Sequence, residues 1–314
     1  MREFKIDFNK ALKPALIVYI ALFLVGAIMA VIFGVQLDIN FVGGSKISYS
    51  YTGDIADADI SAVADETLEA KYSLSKSTAL AGDTQTFEIA LSGKNALSAE
   101  KQEALTAALE EKFPDNKVTL YNSNSVSPTI AGTFFLKSMV AVLITAVLVV
   151  IYVGFRFRKI GGVSAGLTAL VALVLDVLVT FFVCVIFRLQ IDSNYIAVVL
   201  TMLGYSLNDT IVIYDRIREN EKFNSDMEIG DLVNMSINKV LIRNIVTSVT
   251  TFLAVMTIVV VAELFGLTSL RTFAIPMAFG LVSGGISSLF ISGPLWVIWK
   301  RHKAKVAAQK KHKK

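Results

Sequence analysis

Six stretches of this 314-residue chain are apolar for long enough to cross a bilayer. A hydrocarbon core about 30 Å thick requires about 20 consecutive, predominantly apolar residues in a helix. The six run approximately over Pro14–Val35, Phe134–Val153, Gly161–Phe187, Tyr195–Ile213, Ile245–Phe265 and Phe273–Trp299. Hydrophobic residues make up 54% of the chain and charged ones 18%, with a mean hydropathy of +0.61. This balance excludes an ordinary soluble domain and indicates a polytopic membrane protein. The first segment follows basic residues, as a signal peptide does, but its apolar core is about twice the usual length, so a retained anchor is expected.

Lysine and arginine set the expected orientation. Arg2, Lys5, Lys10 and Lys13 precede span one; Arg156, Arg158 and Lys159 follow span two; Arg216, Arg218, Lys222, Lys239 and Arg243 follow span four. A basic tail runs from Lys300 to Lys314, whereas the opposite short loops hold only Arg188 and Arg271. The positive-inside rule therefore places both termini in the cytoplasm of a multi-pass protein of the cell membrane. The tail reads as a topology anchor against anionic lipid, with docking to an acidic or RNA-rich partner as the other reading.

The expected division is a cytoplasmic N-terminus with span one (1–35), a hydrophilic insert (36–131), spans two to six (132–299) and the basic tail (300–314). The insert holds fourteen Asp and Glu against seven Lys, which suits a translocated domain. Lys46–Thr52 alternates as a strand does, and Asp57–Tyr72 has apolar residues at helical spacing. Leu74–Leu80 and Thr84–Leu91 read as strands around a turn at Gly82-Asp83. Ser98 can cap a helix running to Phe113, and Lys117–Asn122 is a last strand. The order β-α-β-β-α-β is that of a ferredoxin-like domain, and such a fold alone gives no function.

Asp209 and Asp176 are the costly residues. An ionised carboxylate in hydrocarbon is penalised by about 2.5–3.5 kcal/mol on insertion scales. Asp176 lies mid-span three, and Asp209 lies on span four among Ser206, Asn208 and Thr210, with Arg243 at the start of span five. Such a carboxylate can load and release protons or hold a sodium ion through oxygen ligands. The bland readings are a static Asp209–Arg243 pair, an Arg243 that snorkels to the headgroups, and an Asp176 in a fixed helix-to-helix hydrogen bond. Small residues recur as Gly162-x-x-x-Gly166 and as Gly280, Gly284 and Ser288, faces that bring helices close within the chain or against a second subunit.

Phosphate loops, G-x-S-x-G elbows and H-E-x-x-H motifs are absent from the sequence. The only histidines, His302 and His312, lie in the tail, and the lone Cys184 sits in an apolar run. An enzyme, a metal site, an organic cofactor, an intrachain disulfide and a nucleic-acid partner are therefore not expected.

Five blocks resemble the SecF family of bacterial protein-export membrane proteins: Gly204–Asn220, Asn234–Thr251, Leu37–Ser45, Val126–Gly132 and Gly284–Ser288. The departures are Asn40 for the family's aspartate, Ser127 for a glycine, and Lys239-Val240 for Gln-Thr. The resemblance implies a split member of the resistance–nodulation–division superfamily, paired with SecD. It implies a proton or sodium path through Asp209 and Arg243, with Asn208 and Asp176 beside it. It also implies an outer-domain hinge at Asn40, Phe41, Gly43, Gly44, Pro128 and Gly132. Implied partners are SecD, the SecYEG channel, SecA, YidC, YajC, an unfolded translocating preprotein and membrane lipid. The implied work is ion-driven completion of export. A half-size small-molecule transporter and a passive assembly factor are the competing readings.

Overall fold

The computed structural model describes residues 6–68, 70–78, 84–93 and 97–312. The turn expected at Gly82-Asp83 and the terminal cations Arg2, Lys5, Lys313 and Lys314 lie outside them. Six helices are long and apolar enough to span a membrane. They are α1 (Phe8–Phe33), α5 (Pro128–Arg156), α6 (Gly162–Ile186), α7 (Ser193–Phe223), α8 (Ile229–Leu264), and α9 (Thr268–Ser287) continued through a π-helical turn (Ser288–Ser292) into α10 (Gly293–His312). The chain is a multi-pass membrane protein. Half of the apolar window of α6 and of α7, and 72% of that of α9–α10, is buried, against 11% for α1, α5 and α8. The interior therefore belongs to α6, α7 and α9, and the other three present apolar surface outward.

Several helices extend beyond the apolar runs that announce them. Asp7 accepts from Lys10 N at the start of α1, and Asp192 accepts from Asn194 N and Tyr195 N at the start of α7. Glu228 accepts from Gly230 N and Asp231 N at the start of α8. Each satisfies amides that a helix start leaves open. Two asparagines one turn apart on α8 bind the entry to α1: Asn234 Oδ1 accepts from Phe8 N (3.0 Å), and Asn238 bonds both the N–H and the C=O of Ile6. One face of α8 thus holds the start of α1 in place.

The small residues act inside the chain. A Cβ at Gly162 would lie 1.9 Å from Gly154 O, so α6 meets α5 backbone to backbone. A Cβ at Gly280 would lie 2.7 Å from Thr180 Cγ2, and one at Gly284 3.2 Å from Ser206 Cβ; Ser288 is fully buried. These positions draw α9 onto α6 and α7.

Between α1 and α5 lies the single sheet found among the described residues. Its parts are a short helix α2 (Ile39–Val42), β1 (Gly44–Thr52), α3 (Asp57–Thr67), β2 (Tyr72–Thr78), β3 (Thr84–Ser92), α4 (Ala99–Lys112) and β4 (Thr119–Val126). The strand order is β2-β3-β1-β4, antiparallel at each pairing. Alternate β1 residues Ile47, Tyr49 and Tyr51 face α3 and α4 in a core with Ile60, Phe87, Leu105 and Leu109. Two expected boundaries are corrected. The first helix ends at Thr67, because Tyr72 begins β2 opposite Leu91. The last strand runs on to Val126, because β1 pairs with it as far as Gly44.

Gly44 cannot be anything else. Its φ is +132°, and a Cβ there would sit 1.9 Å from Leu91 O. Gly44→Ala is expected to cost about 3 kcal/mol through backbone strain and loss of register, read as accelerated hydrogen exchange in β1 and β3. Gly132→Ala is the control: a Cβ there meets nothing within 4 Å, and no change is expected.

Candidate ion site and domain junction

Asp176 sits where four helices meet. Its side chain is 1% exposed. Oδ2 accepts from Ser206 Oγ of α7 at 2.7 Å and from Ser287 Oγ of α9 at 2.8 Å. Oδ1 accepts from Ser283 Oγ of α9 at 2.5 Å. Tyr19 of α1 extends the network, its hydroxyl 3.1 Å from Ser283 O and 3.0 Å from Ser283 Oγ. Ser283 and Ser287 reach Asp176 because they are four residues apart on one face of α9, next to Gly280 and Gly284. Three hydroxyl donors supply much of what burial takes from a carboxylate.

Asp209 is held differently. It is 2% exposed and lies one turn beyond Ser206 on α7. The one hydrogen bond of its side chain among the described residues is a long contact, Ser248 Oγ to Oδ2 at 3.4 Å. No direct ion pair among the described residues joins it to Arg243, whose guanidinium charge nonetheless acts on the carboxylate. Arg243 is five residues before Ser248 on α8, about 7.5 Å along the axis at 1.5 Å per residue, and its side chain is exposed. It lines a 430 Å³ groove between α7 and α8 with Asp215, Arg218, Glu219 and Lys222. Asn208 is exposed as well. Asp209 therefore lies buried one residue from the exposed Asn208 and near a polar groove that Arg243 lines. A carboxylate so enclosed requires donors, a proton or a cation.

The π turn of α9–α10 lies on the same layer. Tyr214 of α7 donates to Ser292 O at 3.4 Å and shares a 2.8 Å hydrogen bond with Thr168 of α6. Such turns leave backbone carbonyls for side chains to satisfy.

A second arrangement joins the sheet to the helices. Asp38 caps α2, accepting from Asn40 N (3.0 Å) and Asn40 Nδ2 (2.5 Å). Lys46 bridges Asp38 (3.3 Å) and Glu88 of β3 (2.9 Å). Burial pushes the Lys46 ammonium down, but the charges of Glu88 and Asp38 outweigh it and hold its pKa above the usual lysine value. Asp38 N donates to Ile191 O and Ile191 N to Gln36 O, stapling this segment to the α6–α7 loop. Phe41 packs tilted against Phe134 and edge-on against Phe135 of α5, with ring centroids 5.5 and 6.1 Å apart. Gly43, with φ +80°, passes Pro128 so closely that a Cβ would lie 2.9 Å from the Pro128 Cα. Asn40, Phe41, Gly43, Gly44 and Pro128 thus form one junction, and Gly132, in open space, stands outside it.

The sequence reading of the site missed Tyr19, Ser283, Ser287 and Ser248. For Ser283 and Ser287 the signal was the Gly280, Ser283, Gly284, Ser287 spacing, visible only as a small-residue face; Tyr19 and Ser248 carried none.

Comparison with known proteins gives these groups a family. Residues 105–302 match the sequence model described as "Protein export membrane protein SecD/SecF, C-terminal". The protein translocase subunit SecF of Petrotoga mobilis is 35% identical over 280 residues, 88% of this chain and 90% of that one. The protein translocase subunit SecF of Alicyclobacillus acidocaldarius is 31% identical over 292 residues, 92% of this chain and 91% of that one. The crystal structure of SecDF, a translocon-associated membrane protein from Thermus thermophilus, superposes with a TM-score of 0.76 at 27% identity. It is matched over 95% of this chain, which spans only 39% of the SecDF chain. By sequence model, identity and fold together, the chain belongs to the SecD/SecF family of protein-export membrane proteins.

Proposed function

We propose that this chain is a SecF-type accessory subunit of the Sec preprotein translocase, pairing with a SecD subunit to use an ion gradient in completing export. The observation that carries this reading is the open α7–α8 face. Asp209 is buried with no direct ion pair among the described residues, and the exposed Arg243 at the groove acts on it through charge alone, with the exposed Asn208 next to it in the chain. A pathway needs a carboxylate that can exchange its proton or ion, and a neighbouring subunit that completes the enclosure. The SecDF chain of similar fold is more than twice this length, which supports a SecD half as that neighbour.

The two carboxylates divide the work. Asp209, held by one long bond, is the group we assign to ion transfer, with Arg243 and Asn208 beside it. Asp176, caged by three serines, fixes the helices around it. The coupling ion is a proton or sodium, and one charge crossing the field supplies about 2.3 kcal/mol per 100 mV. No cofactor takes part.

The sheet's element order and its β2-β3-β1-β4 arrangement support a ferredoxin-like domain. The cation bias supports its position outside the cytoplasm, with both termini in the cytoplasm of a protein of the cell membrane. The division into 1–35, 36–131, 132–299 and 300–314 follows. The Asp38–Lys46–Glu88 junction would transmit motion from the helices to this domain, where an unfolded preprotein leaving SecYEG is engaged after SecA has acted. YidC and YajC are further candidate neighbours.

Purification from native membranes in mild detergent tests the pairing. A one-to-one complex with SecD is expected, and Asn208→Trp is expected to disrupt it by filling the interface. A chain that purifies only alone or as a homodimer, with or without the substitution, contradicts the reading.

A further inference from the structure

The charges that line the α7–α8 groove do not balance. Arg216, Arg218, Lys222 and Arg243 stand against Asp215 and Glu219 in a space of 430 Å³, within the roughly 300–1,000 Å³ typical of small-molecule sites. Both carboxylates are already taken. Glu219 pairs with Arg216 at 2.6 Å, and Asp215 is held between Arg218 at 2.7 Å and Arg156 of α5 at 3.0 Å. Lys222 and Arg243 have no direct ion pair among the described residues, and both side chains are exposed. The groove therefore presents two uncompensated cations, and an anion is the occupant that charge selects.

Depth narrows the choice of anion. The 18 residues 245–262 of α8 carry no charge. At about 1.5 Å per residue they span about 27 Å, close to the hydrocarbon thickness. Arg243 precedes them directly, so it stands at the edge of the hydrocarbon, where lipid phosphates lie. The rest of the groove is apolar: Ile211, Val212 and Val240 complete its lining. Ile211 and Val212 precede the charged run of α7 and lie on its hydrocarbon side. A small soluble anion would leave this wall unused, whereas an amphiphile matches both the wall and the cations. We propose that the groove seats the headgroup of one anionic phospholipid. Its phosphodiester meets Arg243, its chains start along Ile211 and Val212, and its outer end points toward Lys222. A guanidinium offers phosphate paired N–H donors, and a lysine adds a point charge. A zwitterionic lipid brings its own ammonium toward Lys222 and loses this advantage. The site stands whether or not Asp209 carries an ion.

The test is native mass spectrometry of the purified full-length chain, offered equal amounts of phosphatidylglycerol and phosphatidylcholine with the same acyl chains. The wild-type chain should retain phosphatidylglycerol in preference. Lys222→Gln and Arg243→Gln, both at exposed positions that spare the core, should each lower that preference about fivefold, the factor carried by one cation near an anionic lipid surface. The double variant should erase it. Removing the same charge from the exposed tail, as Lys303→Gln with Lys310→Gln, should leave the preference unchanged. Equal retention of the two lipids by the wild-type chain overturns the proposal, as does an equal loss in the tail variant. Displacement of the lipid by inorganic phosphate would make the groove a site for soluble anions and also overturns it. So does capture of a polypeptide rather than a lipid by a photo-crosslinker at Lys222 in native membranes.

Discussion

Asp209→Asn should reduce ion-gradient-dependent export to the level seen without a gradient, while the SecD complex still assembles. The substitution keeps shape and hydrogen-bonding capacity but removes the ability to exchange a proton or bind a cation through charge. Asp209 touches Ser248 through a single 3.4 Å contact, so little packing is lost, and the stability change should stay within about 1 kcal/mol. Export from inverted membrane vesicles, with and without an imposed gradient, reads the effect. Normal export with altered drug sensitivity would favour the small-molecule transporter, and loss of the complex itself would favour an assembly role.

The second large effect is on stability. Asp176→Ala should destabilise the bundle by about 3 kcal/mol, because it strands buried hydroxyls and opens a cavity between packed helices. The sum stays below three full penalties, since Ser287 Oγ already has Gly284 O within 3.3 Å as a fallback. Ser206→Ala, removing one of three donors, should cost about 1 kcal/mol. Unfolding in mixed micelles would rank these variants. An Asp176→Ala chain as stable as the wild type, yet uncoupled from the gradient, would move Asp176 from the scaffold to the ion path.

Much of this was legible in the sequence for a simple reason. Bilayer thickness fixes the length of an apolar run, so six runs gave six spans. The charged run after span four marked the continuation of α7, whereas the start of α8 was less legible, because it runs through polar sequence from a cap at Glu228. Alternation in Lys46–Thr52 marked β1, whereas the helix before Tyr72 was drawn too long because apolar spacing persists past Thr67. The carboxylates stood out by their cost in hydrocarbon. Their partners did not, because Ser283 and Ser287 look like ordinary small residues until α9 is laid against α6. Spacing placed Asp209 and Arg243 on neighbouring helices. It could not show that Arg243 stays exposed and short of a direct ion pair with Asp209, since which side of α8 is covered depends on tertiary packing.

The most direct test is infrared difference spectroscopy of the reconstituted complex with SecD, comparing resting and energised membranes. A carboxylic-acid carbonyl band should appear and disappear with the gradient, or shift on sodium binding, and be missing in Asp209→Asn. A carboxylate at Asp209 that stays ionised and ion-paired in every state would contradict it.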